Sequence, residues 1–257
     1  MSKASGQSGF TGEIKEVRLN IQVFCDLDGP LIDVSRRYYK TYQLAIAAVQ
    51  ADAQVHGRSL SLTPLSASQF WQMKQERVPD ADVAFCSGLR HEQIDLFLAK
   101  VLDIVNQPDL LREDCVQPGV FQALQLLKRF GASLSVVTLR CQTQAVQLLR
   151  QFQLDSFFDQ VCGTENSLAA YQNYTEYKQA ILESLMAKLK TSEHEQFWMI
   201  GDTEADINAA QALGLFTAAL TCGMRSSSYL HRLKPTTVQA DLTSTTQYLL
   251  AQAMPLA

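Results

Sequence analysis

The patterned part of the chain begins with a short apolar run, Ile21, Val23, Phe24 and Cys25, that stops at Asp26-Leu27-Asp28-Gly29-Pro30. A compact apolar run bounded by turn residues suits a buried strand that ends in a loop. The period then changes. Tyr38, Tyr42, Ala45, Ile46 and Val49 recur at helical spacing over 34–54, with Gly57 as the stop. A second helix opens at Ser66, where Ser66 and Gln69 have capping-box spacing and Leu65 and Phe70 hydrophobic-staple spacing; its body carries Trp71, Met73 and Lys74. A third, over 91–105, is amphipathic through Ile94, Phe97, Leu98, Val101 and Leu102 and ends near Pro108. Between 34 and 115 the pattern predicts helices and no strand.

Beyond residue 115 the rhythm alternates. Pro118 suits a first helical position and Gly131 the position just past the end of a helix over 120–130. There follow a strand over 134–138, a helix over 143–152, a strand over 158–162, a helix over 176–190, a strand over 197–200, a helix over 204–213 and a strand over 216–220. Strands separated by single helices imply right-handed crossovers and a parallel sheet. The expected fold is α/β: a Rossmann-like doubly wound parallel sheet core, over 17–33 and 116–257, with an inserted all-helical cap domain over 34–115. Residues 1–16, rich in Ser and Gly, read as a flexible tail.

Composition narrows the classes. With 257 residues, 47% apolar and 19% charged, the chain can bury a sizeable core, in one large domain or in a core with an insert. The formal net charge is −4 and the cations are scattered, which gives no footprint for nucleic acid or an anionic membrane. No run approaches 18 apolar residues, and the first residues lack the apolar stretch of a signal peptide, so a cytoplasmic protein is expected. Six widely spaced cysteines without a CxxC pair read as reduced thiols. Oligomeric state is left open.

Polar residues gather where a doubly wound sheet binds ligands, outside the carboxyl ends of its strands. The first strand ends at Asp26 and Asp28, the strand over 134–138 at Thr138, and the strand over 197–200 at Gly201-Asp202 with Asp206 four residues on. Lys178 falls in the first turn of a helix, where a cation costs roughly 0.3 to 1 kcal/mol unless it meets an anion. It also shares a stripe with Ile181, Leu182, Leu185 and Leu189, so its amine is aimed inward toward the same rim. Carboxylates gathered in one place repel one another unless a cation neutralises them, and hard oxygen ligands suit Mg2+. With the ion bound, a carboxylate can attack phosphorus while Thr138 and Lys178 hold the phosphoryl oxygens.

These residues, in this order, resemble the haloacid dehalogenase-like hydrolase superfamily, and more narrowly its phosphoglycolate phosphatase-like members with a helical cap. Asp26-Leu27-Asp28-Gly29-Pro30-Leu31-Ile32-Asp33 fits the family's DxDGxxxD segment, and Gly201-Asp202-Thr203-Glu204-Ala205-Asp206 its fourth motif. The resemblance implies a Mg2+-dependent phosphatase. In it Asp26 is the nucleophile, forming an aspartyl-phosphate, and Asp28 the general acid and base, its backbone carbonyl ligating the metal. Thr138 and Lys178 stand at the second and third motifs. The metal set is Asp26, Asp28 and Asp202, with Asp206 in support. The implied substrate is a small phosphorylated metabolite, phosphoglycolate or a sugar phosphate being typical. Two positions depart from the family pattern: Pro30 stands where Thr is common, and Leu139 where Asn often follows the second-motif Thr. Arg140 is the candidate to replace the missing phosphate contact.

Plainer readings stand beside these. Thr203 and Asp206 have capping-box spacing, so Asp206 also serves as a helix start. Lys178 could snorkel from its apolar stripe, and Thr138 could be only a β-branched strand end. Trp71, Lys74 and Arg77 are candidate substrate contacts; equally, Trp71 is core and the cations a solvated face. Cys25 reads as an inert buried thiol and His91 as a helix start. A phosphomutase, a phosphonate-cleaving enzyme using Lys74 as a Schiff base, and a catalytically idle scaffold are the competing functions.

Overall fold

A computed structural model describes residues 19–166, 168–189 and 195–253; the expected tail over 1–16 lies outside them. In chain order the elements are β1 (Ile21–Cys25), β2 (Ile32–Asp33), α1 (Ser35–Val55), α2 (Ala67–Gln75), α3 (Asp80–Cys86), α4 (Glu92–Ile104), α5 (Pro108–Leu111), β3 (Cys115–Val116) and α6 (Val120–Arg129). There follow β4 (Ser133–Cys141), α7 (Gln142–Gln151), β5 (Gln160–Thr164), α8 (Ala169–Gln172), α9 (Thr175–Met186) and β6 (Gln196–Gly201). Last come α10 (Glu204–Ala212), β7 (Phe216–Leu220), α11 (Ser227–Arg232), β8 (Thr237–Gln239) and α12 (Leu242–Ala253).

Six strands form one parallel sheet in the order β5-β4-β1-β6-β7-β8. Side chains alternate along β1. Val23 and Cys25 join the cluster that includes Leu124 and Leu127 of α6 and Leu249 of α12, while Phe24 joins the cluster with Leu182 and Leu185 of α9 and Ala209 of α10. Helices thus cover both faces, which is why the strands are apolar on both sides. The strand order reverses at β1, which has β4 on one side and β6 on the other. Such a switch point leaves a crevice at the carboxyl ends.

The helices α1 to α5 intervene between β2 and β3, which pair antiparallel as a two-residue ribbon, Ile32 with Val116 and Asp33 with Cys115. Their interior is aromatic: Tyr42 stacks on Phe70 at 5.0 Å and meets Phe97 edge-on at 6.1 Å between centroids. The Tyr42 hydroxyl is partnered by Ser87 Oγ at 2.8 Å and accepts from Leu65 N at 2.7 Å, so the buried polar atom is satisfied. The Ser66 capping box forms as its spacing predicted.

Several boundaries differ from the pattern reading. Gly119, at φ +77°, caps α6, so Pro118 lies outside the helix rather than in its first turn. Strand β5 begins two residues later than the apolar pattern predicted, because Asp155–Phe157 forms a 3-10 turn and the Asp159 carboxylate instead accepts from Leu134 N at 3.0 Å. Strand β4 runs on to Cys141, three residues past its predicted end.

Candidate active site

Parallel register puts the strand ends level. Cys25 is opposite both Val136 and Ile200, and Asp26 N donates to Ile200 O at 2.9 Å, so Asp26, Thr138 and Asp202 meet at one rim. Gly29, at φ +100°, turns the chain directly over Asp202. A Cβ at Gly29 or at Gly223 would collide with the Asp202 carboxylate, so both positions need glycine.

Lys178 lies in the first turn of α9 and is 1% exposed. Its Nζ reaches Asp26 Oδ1 at 2.8 Å, Asp206 Oδ1 at 2.7 Å and Val137 O at 2.9 Å. Two hydrogen bonds, to Asp26 and Val137 O, and the ion pair with Asp206 account for a buried cation, exclude the snorkelling reading and leave one ammonium N–H for a ligand. Burial alone would lower the lysine pKa, but Asp206 and Asp26 raise it, so the ammonium stays charged. Asp206 fills both roles open to it. Its Oδ2 accepts from Thr203 N at 3.1 Å and Thr203 Oγ1 at 2.8 Å at the start of α10, while its Oδ1 faces Lys178.

Asp202 is fully buried. Its Oδ2 accepts from Met224 N at 2.6 Å, and its Oδ1 has no hydrogen-bond partner. Burial pushes its pKa well above the carboxylate range, and Asp206 and Asp26 add to the shift. Asp26 is raised to about 7 by burial; Lys178 opposes the rise and Asp206 adds to it. One ligand atom from each of Asp26, Asp202 and Asp206 lies within 4.8 Å of the others. The wider rim holds the carboxylates Asp26, Asp28, Asp114, Asp202 and Asp206 against the cations Arg37, Arg140 and Lys178. A divalent oxygen-seeking cation fits the carboxylates of Asp26, Asp202 and Asp206: it offsets their mutual repulsion and gives the orphaned Asp202 Oδ1 a partner.

The remaining candidates divide. Thr138 is buried, lines the same cavity of about 80 Å³ as Asp26 and Lys178, and accepts from Arg140 N at 3.1 Å through its hydroxyl oxygen. Asp28 lines the cavity too, but its carboxylate is held by Arg140 and Arg37. Burial raises its pKa, yet the two guanidiniums more than reverse the effect and keep it below the usual range. Arg140, the candidate phosphate contact, lines the cavity with most of its guanidinium engaged: Nε binds Asp28, and Nη2 is bound at 2.7 Å to both Asp28 Oδ1 and Asp114 Oδ2. Lys74 reaches the cavity while ion-paired to Asp80 at 2.8 Å, and it lies over the rings of Tyr38 and Tyr171. Trp71 packs against the hydrophobic cluster and is not among the cavity's lining residues, so its place is in the packing of α2. Cys25 is a buried thiol whose pKa burial drives up, in keeping with an inert role.

Pattern reading missed several neighbours. Glu204, within the fourth motif, binds Arg225 through both carboxylate oxygens at 2.7 and 3.0 Å and Arg77 at 2.8 Å. Arg37 and Asp114 are 77 residues apart, and nothing local in the sequence pairs them.

Residues 23–220 match the family model described as haloacid dehalogenase-like hydrolase. Among curated proteins the chain is 32% identical over 116 residues to the pyrophosphatase PpaX of Bacillus cereus, a match over 45% of this chain and 51% of that protein. The chain thus spans about half the length of the curated relatives it matches. Among solved structures, a predicted phosphatase from Clostridium acetobutylicum superimposes with a TM-score of 0.63 at 21% identity, over 91% of this chain and 99% of that one. A predicted phosphoglycolate phosphatase from Haemophilus somnus does so with a TM-score of 0.62 at 20% identity, again over 91% and 99%. At these identities the structural matches establish the fold.

Proposed function

Because the chain belongs to the haloacid dehalogenase-like hydrolase family, we propose that it is a Mg2+-dependent phosphohydrolase that cleaves a small phosphomonoester through an aspartyl-phosphate on Asp26. The observation that carries this reading is the buried set of Asp26, Lys178, Asp202 and Asp206 at the switch point, with a lysine bonded to the nucleophile and one carboxylate oxygen left without a partner. Asp26 and Asp202, with the Asp28 carbonyl, are the ligands for the ion, and Asp206 supports Lys178. Bound there, magnesium supplies charge neutralisation and polarises the phosphoryl oxygens.

The residues divide the work. An Asp26 oxygen attacks phosphorus, forming the acyl phosphate as the bond to the leaving oxygen breaks. Against the effect of burial, Arg140 and Arg37 keep Asp28 ionised in the free protein, so to act as an acid it must gain a proton as the negative charge of the substrate enters the cavity and raises its pKa. It gives that proton to the leaving oxygen, so the alcohol leaves neutral; as carboxylate it then takes a proton from the water that attacks the acyl phosphate and releases inorganic phosphate. Lys178 and the Thr138 hydroxyl donate to phosphoryl oxygens as charge develops on them. A carboxyl group with a pKa of about 7 is only partly ionised at neutral pH, and a neighbouring divalent cation would favour its nucleophilic form.

The helices α1 to α5 act in this reading as a cap over the cavity, with residues 17–33 and 116–257 as the core, and Lys74 faces the alcohol part of the substrate. The six thiols are all unpaired, in keeping with a cytoplasmic site of action. The test is release of inorganic phosphate from a panel of phosphorylated metabolites and aryl phosphates, with magnesium and with chelator, for wild type and Asp26→Asn. Turnover that needs magnesium and disappears in Asp26→Asn is the expected result. An Asp26→Asn protein as active as wild type would sink the mechanism.

A further inference from the structure

Beside the carboxylate set around Lys178 lies a second buried cluster of charges. Arg140, at the end of β4, grips Asp28 from Nε at 3.0 Å and from Nη2 at 2.7 Å, both to Oδ1. The same Nη2 reaches Asp114 Oδ2 at 2.7 Å, and Asp114 Oδ1 accepts from Arg37 Nε at 2.8 Å. Arg37 Nη2 returns to Asp28 Oδ2 at 3.3 Å and closes a ring of two arginines and two aspartates. Arg37, Asp114 and Arg140 are nearly inaccessible, whereas the Asp28 side chain keeps 13% of its surface open toward the cavity.

The ring's place in the chain gives it meaning. Arg37 is in the first turn of α1, where the helical segment leaves the sheet, and Asp114 immediately precedes β3, where it returns. Both crossings therefore converge on the Asp28 carboxylate, and Arg140 fastens them to β4. A buried ion-pair network is a poor route to stability, since desolvation offsets most of its attraction and apolar side chains of similar volume often serve as well. What apolar side chains cannot do is hold a carboxylate by both oxygens in one orientation with one edge facing a cavity.

We propose that Asp114, acting through Arg37 and Arg140, is a positioning residue that aims the Asp28 carboxyl at the leaving oxygen and makes that aim depend on how the helical segment is seated. This rests on the reading of Asp28 as the group that exchanges the proton. A misaimed acid matters most when the leaving oxygen is strongly basic, and little when it departs readily as an anion.

The experiment compares wild type with Asp114→Asn, and with an Arg37→Met, Asp114→Leu double variant that removes the pair together and so leaves no uncompensated buried charge. Each is assayed with magnesium on ethyl phosphate and on 4-nitrophenyl phosphate, and the crystal structure of each is solved. The readout is kcat/KM, which reports the steps up to departure of the alcohol and leaves out the hydrolysis of the acyl phosphate that both substrates share. The expected result is that kcat/KM for ethyl phosphate falls about tenfold to a hundredfold. With 4-nitrophenyl phosphate kcat/KM changes less than about threefold, and the Asp28 carboxylate is displaced. Parallel loss of kcat/KM on both substrates, no loss on either, or an Asp28 carboxylate that has not moved overturns the assignment. Full turnover by Asp26→Asn would instead remove the phosphatase reading, and the position of Asp28 in the variant structures would still decide whether the ring orients it.

Discussion

At the scale of single residues, the site is set by what happens to a carboxylate that loses its water. Asp26 and Asp202 are both pushed up by burial, Asp26 from 3.8 to about 7, and each is raised further by acidic neighbours. A group whose folded pKa lies above its unfolded value stabilises the fold below the unfolded pKa, and that contribution is lost as pH rises through the folded pKa. The metal-free protein should therefore lose thermal stability as pH is raised from about 4 toward 8. Magnesium, by binding the ionised carboxylates of the folded state alone, should flatten the slope and raise Tm most at the alkaline end. Melting curves across this range with magnesium and with chelator check both parts; a slope that magnesium leaves unchanged would show that the cluster binds no ion. Asp26, Lys178 and Asp202 were readable from sequence because each stands at a strand end or in a first helical turn, positions that elementary geometry brings together. Arg37 and Asp114 were not, because each looks locally like an ordinary solvated charge and only the tertiary structure pairs them.

At the scale of elements, legibility followed periodicity and local chemistry. The helix α1 and strands β1, β4, β6 and β7 announced themselves through strong apolar patterns, and α2 through its cap. By contrast α12 reads Leu-Thr-Ser-Thr-Thr-Gln-Tyr, rich in residues with low helix propensity. It is a helix because Leu242 and Leu249 bury against the sheet, Asp241 accepts from Ser244 N at 2.7 Å as a cap, and Thr245 and Thr246 return their hydroxyls to the carbonyls of Asp241 and Leu242. The Asp241 cap was the one signal that could have revealed it. Edge strand β8 is three half-buried residues, too short for any pattern to show. The cap of α2 carries its own prediction. Ser66→Ala removes the acceptor for Gln69 N, at a cost of about 1 kcal/mol. In a protein of this size that lowers Tm by roughly 2 to 4 °C. Ser66 is exposed and its bonds are local, so specific activity should not change; a parallel loss of activity would mean that the seat of α2 matters to the cavity.

At the scale of the whole molecule, the helical segment is fastened to the sheet domain in two places of unequal strength. At its base Arg37, Asp114 and Arg140 of the ring are buried and only the Asp28 side chain keeps a small exposure. At the cavity rim, Arg77 meets Glu204 at 2.8 Å, Arg225 Nη1 donates to Lys74 O at 3.3 Å, and Ser226 N donates to Gln75 O at 3.0 Å. Half of the Arg77 side chain is open to solvent, so its ion pair is worth at most about 1 kcal/mol and weakens as salt screens it. Glu204, whose pKa burial would raise but which the Arg225 hydrogen bond and charge hold low, stays ionised across the neutral range, so salt rather than pH should govern this contact. If the segment serves as the proposed cap, the weaker rim is the end expected to open and the base the end expected to hold, as in hinge closure around a ligand. Arg77→Ala should speed amide hydrogen exchange near the end of α2 and leave the first turns of α1 as protected as in wild type. Raised salt should produce the same pattern in wild type and add little in the variant. Equal acceleration at both ends would mean that the segment loosens as a whole, with no fixed hinge at its base.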